Sequence, residues 1–376
     1  MSGTAPSDGP YASQPTRVGD ARSTVLFLAS SPLHVFFSLG LMAGPFRDAA
    51  RTLALIDQPP GERDFIADAL QAHAPPGLAL ARFPPVRAGR AGRQLLDEIG
   101  AFTAALAPTT IAVGNDRRLE FYAALRACPS ARRIYTDDGL YSYLPHRDAQ
   151  PAWREALSNR RRGWKYGVPL ERPSLVGGSR AVQEAYVLLP EQVHAGLAGK
   201  PVQGLRPEWF AEPWVREACV AAAGLAGFDA QRCGAIGLLL LLPHPRFLQA
   251  DPALARRIES LALEHVAHGE VVALKSHPDA ASIPVHRQLR LPDTAVLEVP
   301  ARLPAEVLVP LMKNALVAGT LTTALLSLAL LGRQLTVRSL VPRSASGAGQ
   351  RYNQRALEIY ESVGIRRLDG DAGSAS

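Results

Sequence analysis

The chain has 376 residues, 47% hydrophobic and 20% charged, which gives room for two domains with large cores and excludes a fibrous or wholly disordered protein. A formal charge of +7 favours anionic partners such as phosphorylated sugars, nucleotides, anionic glycans or a membrane surface. The basic residues are scattered and mostly Arg, with no aromatic-basic stacking motif, so nucleic acid is not expected.

Residues 1–22, rich in Ser, Gly, Pro and Ala and without an apolar core, read as a disordered tail rather than a signal peptide. From Thr24 the chain alternates strand-like and helix-like runs. Strands are predicted at Thr24–Ala29, Thr52–Ile56, Leu78–Phe83, Thr110–Val113 and Arg132–Thr136. Helices are predicted from Leu33, around Glu62–Ala72, over Arg93–Leu106 and over Leu119–Ala127. Such a succession implies a parallel sheet with helices on both faces, whose ligands bind at the carboxyl ends of the strands. Ser30, Ser31 and His34 follow the first strand, Asn115 the fourth, and Asp137 and Asp138 the fifth, so position alone lines them along one rim.

Residues 145–212 break the rhythm, with Ala185–Leu189 as the one strand-like run, and read as an irregular excursion plus linker that carries acceptor specificity. Within it, Arg160-Arg161-Arg162 with Trp164, Lys165 and Tyr166 reads as a solvated loop, with an acceptor or phospholipid contact as the minority reading. A second alternating unit follows. Strands are predicted at Ala235–Leu242, Glu270–Lys275, Ala295–Val299, Leu316–Ala318 and Gln334–Val337. Helices are predicted over Ala253–Ala267, Pro304–Met312, from Gly319–Thr323 to Leu331, and over Gln350–Val363. The expected organisation is an N-terminal Rossmann-like domain at 23–212, a C-terminal one at 213–345, a closing helix at 346–369 and a tail at 370–376. The fold class is α/β, two doubly wound domains facing a cleft.

Cys128, Cys219 and Cys233 are widely spaced, which fits a reducing compartment and buried, inert thiols rather than disulfides or structural zinc. No metal site is expected; His265 and His268 lack a third ligand nearby and read as solvent-facing. No run reaches the roughly 20 apolar residues of a membrane span, Ala315–Leu331 being interrupted by Gly319 and threonines.

Three short stretches carry chemistry. In Asp137-Asp138-Gly139 two like charges meet at a strand end, where repulsion can split their pKa values and leave one as a base; as a bare tripeptide it is also an ordinary polar turn. In Lys275-Ser276-His277-Pro278 a histidine at a strand end can meet a departing phosphate as acid or charge stabiliser, although His244-Pro245 repeats the dipeptide. Gly319–Thr323 opens a helix, where hydroxyls, free N–H groups and the helix dipole form an anion seat or, more plainly, a threonine N-cap.

In order and spacing these stretches resemble the acidic-acidic-Gly, His-Pro and Ser-Ser/Thr motifs of the bacterial sialyltransferases. Val299-Pro300-Ala301 followed by Glu306-Val307-Leu308 is similar to that family's ribose-holding segment, and Ser30-Ser31-Pro32-Leu33 looks most like the capsule-type polysialyltransferase branch. One departure is Thr322-Thr323, where the pattern usually begins with Ser. The resemblance implies the two-lobed GT-B arrangement and a metal-independent, inverting transfer of sialic acid from CMP-sialic acid to a glycan hydroxyl, with no cofactor. It further implies Asp138 as general base with Asp137 in support, by holding the loop or raising the pKa of Asp138. His277 would act at the leaving phosphate, Thr322 and Thr323 would hold its oxygens with Gly319 beside them, Glu306 would hold the ribose, and Lys275 and Pro300 would line the nucleotide pocket. Ser30, Ser31, His34, Asn115 and His244 are expected to line the cleft. The implied location is cytoplasmic, with at most peripheral contact to the inner membrane, in capsule or lipopolysaccharide synthesis. Another CMP-activated acidic sugar such as CMP-Kdo, or a non-catalytic CMP-binding subunit of a capsule assembly, stays open.

Overall fold

A computed structural model describes residues 23–59, 63–144, 152–278, 289, 291, 296–341 and 350–368. The expected tails at 1–22 and 370–376, and parts of the excursion (145–151) and closing segment (346–349 and 369), lie outside the described residues.

In the first lobe, β1 (Thr24–Ala29) leads into α1 (Pro32–Ala43), β2 (Ala50–Leu55) into α2 (Phe65–His73), β3 (Leu78–Arg82) into α3 (Arg90–Leu106), and β4 (Thr110–Val113) into α4 (Leu119–Ala127). β5 (Arg132–Thr136) continues through a 3-10 turn (Gly139–Ser142) to α5 (Ala152–Tyr166), β6 (Glu184–Val187), α6 (Ala195–Ala198), β7 (Val202–Gly204), α7 (Pro207–Phe210) and α8 (Pro213–Leu225). All seven strands pair in parallel, in the order β3-β2-β1-β4-β5-β6-β7.

The second lobe comprises β8 (Ile236–Leu241), α9 (Pro245–Ala250), α10 (Pro252–Ala267), β9 (Val271–Lys275), β10 (Val296–Val299), a 3-10 turn (Ala305–Leu308), β11 (Leu316–Gly319), α11 (Thr323–Leu331), β12 (Thr336–Ser339), α12 (Gln350–Ser362) and β13 (Arg366–Arg367). Its six parallel strands run β10-β9-β8-β11-β12-β13. β8 shows why its sequence is an unbroken apolar run. Leu239 and Leu241 enter one hydrophobic core, while Leu238 and Leu240 enter the other. A strand covered on both faces has no polar side to show.

Three expectations need correction. The excursion is not irregular: α5 spans the arginine run read as a solvated loop, and β6 and β7 extend the first sheet. The helix expected over Pro304–Met312 shrinks to the turn Ala305–Leu308, because Pro310 has no N–H to continue an α-helical ladder. The closing segment ends in a short strand, β13, at the edge of the second sheet. α8, grouped with the second unit by the division at residue 213, packs against α2 of the first lobe and also meets the turn at Ala305–Leu308.

Candidate active site

Both sheets reverse their strand order at one point, between β1 and β4 in the first lobe and between β8 and β11 in the second. The crevice outside the strand ends at such a reversal is where open α/β sheets hold ligands. The loop after β1 supplies Ser30 and Ser31 and the first turn of α1 supplies His34, the loop after β4 supplies Asn115, and the loop after the neighbouring β5 supplies Asp138. Opposite them, His244 follows β8, His277 follows β9, and Thr322 and Thr323 follow β11.

In the first lobe, the Oδ1 of Asp138 lies 2.8 Å from His34 Nε2, and its Oδ2 accepts from Asn115 Nδ2 at 3.1 Å. The Ser30 amide points at His34 Nδ1 at 3.4 Å, which places the ring proton on Nε2, donated to Asp138. The Ser30 hydroxyl stands 3.2 Å from the same Nδ1. Ser31 caps α1, its Oγ accepting the His34 amide at 3.3 Å. The imidazole is buried flat against Gly114, where a β-carbon would come within 2.2 Å of the ring. The Asp138 amide in turn donates toward Tyr135 Oη and Ser142 Oγ, both at 3.1 Å, so backbone and side chain are fixed together.

Asp137 points the other way. Fully buried, it accepts from Ser142 Oγ at 2.6 Å, from the Leu188 amide at 2.7 Å and from the Tyr143 hydroxyl. Burial pushes its carboxyl up to about 6, against the pull of those donors. This geometry ties the β5 loop to the end of β6. Asp116, which sequence reasoning passed over, does the same for the β4 loop: buried, it accepts the Gly177 and Ser179 amides at 2.7 and 2.8 Å, and burial lifts it to about 6. Only its place beside Asn115 signalled it.

The second lobe faces a cleft of about 790 Å³, within the range of small-molecule sites. Ser31–Leu33 and Arg63 form its first-lobe wall, while His244, Lys275, His277, Glu306, Thr322 and Thr323 belong to the second. The rings of His244 and His277 meet edge to face with centroids 5.6 Å apart. Lys275 Nζ donates to the carbonyls of Ser276 and Ala301 at 2.8 and 2.7 Å, and burial lowers its pKa to about 8 although Glu306 favours its charge. Burial raises the Glu306 carboxyl, opposed by the Ser327 hydroxyl and Lys275. Pro300 precedes the wall residues Ala301–Leu303, and Gly319 is buried in β11, where a β-carbon would come within 2.9 Å of Leu241. Phe247, half exposed on the cleft and unmarked by any motif, is a further wall residue.

Thr322 caps α11, accepting the Ala324 amide at 3.4 Å, and its own backbone is gripped by Tyr360 of α12. Tyr360 Oη accepts from the Thr322 amide at 2.8 Å and donates to the Thr322 carbonyl at 2.6 Å. Thr323 reaches across the lobes, its Oγ1 accepting from the Leu140 amide at 3.2 Å. Among the described residues no group of three or more His, Cys, Asp or Glu side chains converges as a metal would require.

Two parallel, doubly wound sheets facing a cleft make this a GT-B fold. The chain superposes on the α/β-galactoside α-2,3-sialyltransferase of the luminous marine bacterium Photobacterium phosphoreum with a TM-score of 0.56 at 10% identity, covering 93% of this chain and 99% of that one. The UDP-GlcNAc 2-epimerase of Methanocaldococcus jannaschii gives 0.50 at 10% identity, covering 93% and 89%. No family model and no curated protein matches the chain. At these identities the likeness is one of fold.

Proposed function

We propose that the chain is an inverting glycosyltransferase that moves sialic acid from CMP-sialic acid to a glycan hydroxyl. The observation that carries this reading is a carboxylate held by His34 and Asn115 one residue from Gly139, which packs on Thr323 of the second lobe, where a histidine, a buried lysine and glutamate and a hydroxyl-rich helix start line one cleft. The acceptor oxygen attacks the anomeric carbon from the side of the first lobe while its proton passes to Asp138. The bond from that carbon to the CMP phosphate oxygen breaks, and its electron pair stays on the phosphate. His277 donates a proton or a hydrogen bond to that oxygen, and the start of α11 with Thr322 and Thr323 balances the charge. Glu306 accepts from the ribose hydroxyls, and Lys275 holds the loops on either side of the nucleotide.

His34 serves as a positioning residue in this scheme. Its Nε2–H fixes one Asp138 oxygen and Asn115 fixes the other, so the lone pairs left over face the incoming hydroxyl. Purified protein incubated with CMP-sialic acid, CMP-Kdo and UDP- and ADP-sugars over a glycan array, read by mass spectrometry, tests the reading. Sialylated product is expected. Transfer of Kdo alone would replace the donor, and CMP binding with neither hydrolysis nor transfer would replace catalysis with a binding role.

A further inference from the structure

α5 presents a surface that the transfer chemistry does not use. Its sequence, Ala152 to Tyr166, carries five basic side chains and one acidic one. Trp153, Leu157 and Trp164 lie four and seven residues apart, within roughly 40° of one another around the axis. They are 64%, 46% and 87% exposed, although apolar residues on a helix ordinarily face the core. Arg160 shares that stripe, and Arg154, Arg161 and Lys165 flank it on one side. The face turned toward the protein is made of Glu155, Asn159, Gly163 and Tyr166, each only half-buried.

Beside the stripe runs a groove of about 750 Å³ between α5 and α4, with Arg160 and Trp164 in its wall together with Leu125, Pro129, Val168 and Leu170. The helix is held in place. Asn159 donates to the Arg172 carbonyl at 3.2 Å, Arg93 to the Lys165 carbonyl at 2.6 Å and Arg126 to the Gly167 carbonyl at 2.5 Å.

We infer that α5 is a docking face for an anionic lipid bilayer, lying flat in the interface with its two tryptophans and Leu157 at the headgroup boundary. Amphipathic indoles flanked by basic residues match that boundary in both polarity and charge. The cationic flank complements phosphate headgroups, and the apolar stripe takes up what a purely electrostatic contact would leave wet. The contact inferred is peripheral, with α5 lying on the bilayer; no helix among the described residues is long and apolar enough to cross a membrane. It depends on α5 alone and stands whether or not the donor is CMP-sialic acid.

Co-sedimentation with vesicles of phosphatidylcholine, with and without phosphatidylglycerol, tests it. The full chain should bind the phosphatidylglycerol vesicles selectively. The R154Q/R160Q/R161Q variant should partition roughly a hundredfold more weakly, and W153S/L157S/W164S should also lose binding. Brominated lipids give an independent reading on the unaltered protein. They should quench part of its fluorescence, and the quenching should vanish in W153F/W164F, where only Trp209 and Trp214 remain. Binding that ignores lipid charge, binding or quenching that survives these substitutions, or a dimer held by this same stripe in lipid-free solution would overturn the inference.

Discussion

Thr323 of the second lobe sits against Gly139 of the first, where a β-carbon would come within 2.2 Å of both its Cγ2 and its Oγ1. Gly139 also has φ +67°, a left-handed conformation that side chains resist. The residue after the candidate base is thus a point at which the lobes touch, and the Leu140 amide adds a hydrogen bond to Thr323 Oγ1 at 3.2 Å.

Gly139→Ala should therefore damage activity more than its size suggests. The new methyl pushes the lobes apart or twists the loop that aims Asp138, and transfer should fall at least about a hundredfold, as misplaced reacting groups do. Steady-state kinetics beside a melting curve checks this. A variant that melts like the parent and transfers like it would remove the contact from the account.

His34→Ala frees one oxygen of Asp138 while leaving the donor side intact. We expect kcat to fall about 10- to 100-fold with the donor KM little changed, and His34→Gln to recover part of the loss through its amide N–H. Gly114→Ala should reproduce the defect from behind the ring, since its β-carbon would enter the imidazole's space. A rise in KM at constant kcat would place His34 in donor binding instead.

Tyr360→Phe removes both hydrogen bonds to the Thr322 backbone at a buried position. Leaving those groups unpaired should cost about 1–3 kcal/mol of stability. The slackened start of α11 should also weaken CMP binding, measurable by titration calorimetry. A loss of stability with unchanged CMP affinity would separate Tyr360 from the anion seat.

Two pH effects follow from burial. Lys275, lowered to about 8, loses its charge as pH rises through that value, so CMP affinity should decline above about pH 8 and Lys275→Met should abolish that step. Asp137, raised from 3.8 to about 6, binds its proton more tightly folded than unfolded. Its contribution to stability is therefore greatest below about pH 4, falls as pH climbs toward 6 and is level beyond, with a slope of at most about 1.4 kcal/mol per unit. Asp137→Asn should be less stable overall, because its NH2 faces donors, and should lack that share of the slope. Denaturant midpoints between pH 4 and pH 7 check both statements.

That the candidate residues follow strand ends was legible, because strand ends are legible. Apolar runs closing in Ser30, Asp138, His244 and Lys275 mark the carboxyl edges of both sheets, and one rim follows from parallel order. The His34–Asp138 bond joins residues 104 positions apart, and no local periodicity encodes it. The two aspartates look alike in sequence; the donors supplied by Ser142, Tyr143 and Leu188 turn one inward and leave the other at the crevice. α5 escaped because its apolar residues are the exposed ones, so the usual buried stripe is missing. Pro310 is legible in the sequence, and its missing N–H limits the helix expected at 304–312 to the turn Ala305–Leu308.

The most direct test of the account is sialyl transfer by the purified protein and its Asp138→Asn and His277→Ala variants, with CMP-sialic acid and a competent acceptor glycan. The account predicts product one sialyl residue heavier than the acceptor from the parent, and rates lower by about a hundredfold or more in both folded variants. Transfer by Asp138→Asn at close to the parental rate would contradict it.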